Sequence, residues 1–163
     1  MERRRRFLGL LAVVPALGLG YVGFKEFRYA SPTACYACNR PIHAHSRTVA
    51  LVNGRSRLFC CPACAFSEHE QGKEPVKVTQ LSSFLTGAPL SPDSAYIVKG
   101  SDVNMCARDR TMIDGDKQPA ALQYDRCLPS MYAFAEQKQA AEFAREHGGQ
   151  VIPFRQLEGD FVK

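Results

Sequence analysis

The chain has 163 residues, 45% hydrophobic and 23% charged, which suits a folded domain and excludes a disordered or low-complexity chain. Its net charge of +5 is concentrated in residues 1–28; the remainder carries 15 basic and 14 acidic side chains. A body this close to neutral lacks the basic face that nucleic-acid recognition requires, so no nucleic-acid partner is expected.

Residues 1–28 begin "MERRRRFLGLLAVVPALGLGYVGF". Four arginines precede an uncharged apolar run from Phe7 to Phe24, the pattern of a signal or membrane anchor. The run is about 18 residues long, the short limit for a spanning helix. Arg4, Arg5, Phe7 and Leu8 also follow the order of a twin-arginine export signal. The expectation is an exported protein, membrane-anchored and facing the periplasm or another extracytoplasmic side, with the segment retained. Residues 29–34 read as a linker.

Residues 35–84 form a cysteine-rich first half. "RTVALVNGRSRLFC" is a hairpin turning at Asn53-Gly54. "PACAFSEHEQG" predicts a short helix ending at Gly72, and "EPVKVTQL" a strand. "LTGAPLSPDS" supplies a second linker, residues 85–94. Residues 95–163 repeat the order. "AYIVKG" and either "AALQYD" or "MYAFA" are strands, and "QVIPFRQL" is a last strand with Pro153 at an edge position. Between them "KQAAEFAREHGG" is a helix with Ala140, Phe143, Ala144 and His147 on one face. The predicted fold is therefore α+β: two small β-β-α-β units packed together, since neither is large enough to be stable alone.

Cys35-x-x-Cys38, a gap of 22 residues and Cys61-x-x-Cys64 give the spacing of a tetrahedral metal site. The first pair sits on a tight turn before the hairpin and the second where its far strand enters the helix. Pro62 suits the first helical position, making Cys61 the N-cap, and a helix N-terminus favours thiolates. Four sulfurs can then close on one ion that staples a small unit. Cys60 has two readings, a buried apolar residue beside Phe59 or an additional soft donor, because regular strand alternation would aim it away from Cys61.

Disulfides are the rival reading in an oxidising compartment, although seven cysteines leave one unpaired. Cys106 with Cys127 is one such candidate pair. Covalent haem is excluded, since neither "CYACN" nor "CPACA" has a histidine after its second cysteine. Met131, Cys127 and His43 are further metal-donor candidates, the two sulfurs suiting Cu(I). His43 and His45 share a face if the segment is extended. No Ser/His/Asp set, phosphate loop or carboxylate pair stands out, so no enzyme is expected.

With its C-x-x-C opening, "AYIVKGSDV", "PSMYAFA" and "AAEFAREHGGQVIPFRQL", the chain resembles the nitrous-oxide-reductase accessory protein (NosL) family over about residues 35–157. The hairpin and its cysteines also resemble the treble-clef domains of the TRASH/YHS type. The resemblance implies two β-β-α-β units, export or anchoring, and Cu(I) binding at Cys35, Cys38 and Met131. It implies delivery to a recipient metalloprotein, of which nitrous oxide reductase is the family example. The sequence departs from the family at Asn39-Arg40, where Gly-Met is frequent, at Phe59-Cys60-Cys61, and in an insertion from about Asn104 to Arg126. The expected function is an extracytoplasmic metallochaperone carrying Cu(I) or Zn2+. A structural zinc interaction domain and a thiol-disulfide exchange protein are the alternatives.

Overall fold

The computed structural model describes residues 33–106, 115–118 and 125–161. The anchor segment and most of both "AALQYD" and the first linker lie outside the described residues. Among the described residues no helix is long and apolar enough to cross a membrane.

The chain first builds β1 (Thr48–Val52) and β2 (Arg55–Phe59), paired antiparallel with Val52 opposite Arg55. Asn53 and Gly54 turn the hairpin with φ of 50° and 75°, the left-handed conformation that a two-residue turn requires at both positions. Helix α1 (Pro62–Gly72) follows, with Pro62 in its first turn and Cys61 extended at the N-cap. Gly72 is still helical; the left-handed residue that ends the helix is Lys73. Strand β3 (Val76–Ser82) pairs with β1, and β4 (Pro89–Leu90) extends the sheet from within the 85–94 segment, giving the order β2-β1-β3-β4.

The second half repeats the plan. Strands β5 (Tyr96–Lys99) and β6 (Met131–Phe134) pair antiparallel, then come α2 (Gln137–His147) and β7 (Gln150–Pro153). The order β6-β5-β7 reproduces β2-β1-β3, with the first strand of each half in the middle. "MYAF" is thus the second strand of this half. Gly149 has a φ of +95° and passes so close to β5 that an added Cβ would lie 2.9 Å from the Lys99 carbonyl oxygen. Glycine is the residue that fits there.

One expectation needs correcting. "QVIPFRQL" does not continue as a strand: Pro153 ends β7, and Phe154–Phe161 forms helix α3. Phe154, Leu157 and Phe161 recur at the three- and four-residue spacing of a helix face, and the first two are fully buried.

That helix helps to join the halves. Phe66 of α1 stacks on Phe161 at 4.5 Å and on Phe154 at 5.9 Å between ring centroids. The Phe84 amide donates to the Ala133 carbonyl at 2.7 Å. Apolar residues of both sheets share one core, including Ala50, Phe59 and Leu81 from the first half and Ile97, Ala133 and Leu157 from the second. A second cluster packs Phe84 against Tyr132, Phe134 and Phe143.

Phe154 is 0% exposed and touches both halves, so Phe154→Ala is expected to cost about 3–5 kcal/mol. Urea unfolding of the reduced, metal-free protein should show one transition moved to lower denaturant. Two separate transitions in the wild type would contradict a shared core.

Candidate metal centre

Three short segments converge at the N-terminus of α1. The first is the knuckle around Cys35 and Cys38. The Cys35 amide donates to the Arg40 carbonyl and the Asn39 amide to the Cys35 carbonyl, both at 2.8 Å, with Asn39 at a φ of 56°. The Tyr36 amide donates to the Leu58 carbonyl at 2.8 Å, which docks the knuckle on β2, an outer strand of its sheet.

The second segment runs from β2 into α1. Strand β2 ends at Phe59, so strand alternation no longer governs Cys60 and Cys61, and their sulfurs lie 3.9 Å apart. Cys64 sits in the first helical turn, 3.5 Å from Cys60. Cys60, which the strand pattern would turn away, is the sulfur on which the others converge.

The third segment comes from the second half. Cys127 Sγ lies 3.4 Å from Cys64 Sγ and 3.6 Å from Cys60 Sγ. Asp125 holds this turn by accepting from the Cys127 amide at 2.9 Å. The Arg40 guanidinium grips Asp125 with two hydrogen bonds, of 2.8 and 2.6 Å, and donates to Cys127 Sγ at 3.3 Å. Arg126 adds a tie by donating to the Ala37 carbonyl and to Glu68, each at 3.0 Å. An arginine of the knuckle and an arginine of the distant turn thus clasp the two halves over the thiols.

Two four-sulfur groups result: Cys35, Cys38, Cys60 and Cys64, and Cys60, Cys61, Cys64 and Cys127. Within each group all sulfurs lie within 4.8 Å of one another. A tetrahedron with metal–sulfur bonds of about 2.3 Å has edges of roughly 3.8 Å. The contacts of 3.4 to 3.9 Å are at that scale. The expected set of Cys35, Cys38, Cys61 and Cys64 is divided between the groups, and Cys60 takes the place of Cys61 beside the knuckle. Cys38 is half-buried; the other five sulfur residues are buried.

The remaining candidates lie elsewhere. His43 is exposed at a turn and belongs to neither group. His45 Nδ1 pairs with the Phe84 carbonyl at 2.8 Å. Met131 is buried at the start of β6 and lines a cavity of about 350 Å³ with Ala63, Phe66, Asp125 and Arg126. Cys106 faces Ser46 Oγ at 3.8 Å and the Cys60 carbonyl at 3.6 Å; it is not bonded to Cys127, and none of the seven cysteines is in a disulfide.

Such crowding divides the thiols into those that hold their protons and those that release them. Contacts with Cys106, then Cys127, Cys35 and Cys38, push the Cys60 thiol up; contacts with Cys127, Cys35 and Cys38 push Cys64 up. Their neighbours ionise more readily. The Cys127 contact raises Cys38, but Cys35, Cys60 and Cys64 outweigh it and bring Cys38 down to about 3. Cys106, then Cys60 and Cys64, draw Cys61 down to about 6. The Arg40 guanidinium, its own pKa raised chiefly by Asp125, adds positive potential beside Cys38 and Cys127.

Iodoacetamide applied briefly at pH 6 to reduced, metal-free protein should therefore modify Cys38 as a thiolate and spare buried Cys60 and Cys64. In Arg40→Gln the onset of Cys38 alkylation should move to higher pH, because a neighbouring positive charge is lost. Peptide mapping across a pH series checks both outcomes.

A curated relative, the HTH-type transcriptional repressor CutR of Bacillus subtilis (strain 168), is 27% identical over 130 residues. That match covers 79% of this chain, and the chain spans 58% of the relative's length. The crystal structure of the copper chaperone NosL from Shewanella denitrificans is similar with a TM-score of 0.49 at 15% identity, covering 78% of this chain and 91% of that one. The NosL family model matches residues 27–162. With its whole cysteine centre inside that match, the chain belongs to the NosL family.

Proposed function

We propose that this protein is a metallochaperone that carries Cu(I) on the sulfurs of Cys35, Cys38, Cys60, Cys61, Cys64 and Cys127 and passes it to a recipient metalloprotein. The observation that carries this reading is a set of six sulfurs in two overlapping groups, each with its members within 4.8 Å of one another, five of the cysteines buried and Cys38 half-buried. Soft thiolates select Cu(I), and a d10 ion imposes little geometric demand on a compact sulfur set. Delivery requires an ion that can leave. A half-exposed ligand lets an incoming donor coordinate before the protein's own sulfurs release.

Ligand exchange makes and breaks only metal–sulfur bonds, so the reading is of a carrier and not a catalyst. The helix N-terminus at Cys61 and the Arg40 guanidinium offset the thiolate charge. Met131, on the cavity beside the Cys127 turn, would serve as a weaker donor during transfer. The basic-then-apolar start of the chain supports export, with the centre facing the extracytoplasmic side. The family resemblance makes a copper enzyme of the nitrous oxide reductase type the favoured recipient.

Anaerobic Cu(I) competition with a chromogenic chelator tests the reading. Reduced protein should withdraw Cu(I) from the chelator, and Cys38→Ser should weaken retention by about tenfold or more, as loss of a metal-site contact does. One tightly held zinc with no competitive copper binding would instead indicate a structural zinc domain. Oxidation of both C-x-x-C pairs in freshly isolated protein would indicate thiol-disulfide exchange.

A further inference from the structure

We infer that the centre is built for two metal ions rather than one, with Cys60 and Cys64 as bridging sulfurs between them. This inference rests on the metal-carrier reading and specifies the form of its site.

The argument begins with which residues recur. Each four-sulfur group has the makings of a tetrahedron, and the groups have Cys60 and Cys64 in common. Two tetrahedra that share an edge need six ligands, two of them shared. Cys35 and Cys38 are then terminal ligands on the knuckle side, and Cys61 and Cys127 on the inner side. The shared edge is the 3.5 Å contact between Cys60 and Cys64. Cys60 reaches both ways, lying 3.6 Å from Cys38 and also 3.6 Å from Cys127.

A single ion does not satisfy this arrangement. Bound to either group, it leaves two sulfurs of the other group packed against it without a cation. Buried thiolates in that position repel one another and have lost the hydration that offset their charge. A second ion takes those two sulfurs together with the bridging pair. Because bridging sulfurs serve both ions, each ion of the pair sits in a less negative set than one held by four thiolates of its own. On loading, those of the six sulfurs that still carry protons release them to solvent, and no oxidation state changes; the ions enter and leave as Cu(I), or as Zn(II) if zinc is the native metal.

The chain has invested its unusual features in this geometry. Cys60, a shared sulfur, lies 3.6 Å from Cys38 of the knuckle, and its position depends on β2 stopping one residue earlier. Cys127 is contributed from the other half and is held by the Arg40–Asp125 clasp. Neither is needed for a site made of two C-x-x-C pairs. The outer ion, at half-exposed Cys38, is the exchangeable one; the inner ion, among four buried sulfurs, is retained.

The test is anaerobic titration of the full-length, reduced, metal-free chain with Cu(I) supplied as its acetonitrile complex, and in a separate arm with Zn(II). Native mass spectrometry counts ions per chain, and X-ray absorption at the metal edge reports whether a second metal lies beside the first. The expected result is two Cu(I) per chain with a metal–metal scattering shell. Cys60→Ala with Cys64→Ala should abolish that shell, Cys127→Ser should leave one ion, and Cys106→Ser, outside both groups, should keep two. Saturation of the wild type at one ion, or two ions without a metal–metal shell, overturns the bridged pair while leaving the carrier reading intact. Failure to bind either metal overturns both. Two Zn(II) with no Cu(I) supports the bridged pair and overturns copper as its cargo. The wild-type count and shell decide the matter even if the alanine variants do not fold.

Discussion

Six sulfurs held against one another at the end of a helix constrain everything around them. Thiols in such contact cannot all ionise without a cation to offset their charge. The fold answers with the positive end of α1 and with the Arg40 guanidinium, itself anchored on Asp125. These offset part of the negative charge, and a soft cation would offset the rest. The centre is not sealed, because Cys38 remains half-buried, within reach of solvent.

The repeat explains how so many sulfurs meet. Both halves follow one plan, with β2-β1-β3 matched by β6-β5-β7. They differ in the link between the first two strands. In the first half it is the tight turn at Asn53-Gly54; in the second it runs from Gly100 to Ser130. That long link carries Cys106, Asp125, Arg126 and Cys127 across to the first half, where Arg40 and Glu68 receive them. The first half therefore presents the helix and the knuckle, and the second sets Cys127 and Arg126 against them.

Local order was legible in the sequence and long-range convergence was not. Asn53-Gly54, the Pro62 helix start and the apolar face of Ala140 and Phe143 are short-range signals, and each element forms where its pattern indicates. The two C-x-x-C pairs likewise pointed to a sulfur cluster, and their four cysteines all fall within the two groups of close sulfurs. Cys60 was ambiguous because alternation holds only within a strand, and spacing alone does not reveal that β2 stops at Phe59. Cys127 was visible as a donor but not as a neighbour of Cys64, a residue 63 positions away in the chain. The Arg40–Asp125 pair, separated by 85 positions, left no local trace at all. Helix α3 was hidden by Pro153, which suited an edge strand and drew attention from the Phe154, Leu157 and Phe161 face behind it.

The central claim is that a cysteine of the second half completes a metal centre whose other sulfurs belong to the first. Cadmium is a soft d10 probe, and in 113Cd-loaded protein its through-bond couplings identify each coordinating cysteine by its β-protons. The account predicts one cadmium resonance coupled to the β-protons of both Cys64 and Cys127. Cadmium coupled to first-half cysteines alone, with Cys127 silent, would contradict it.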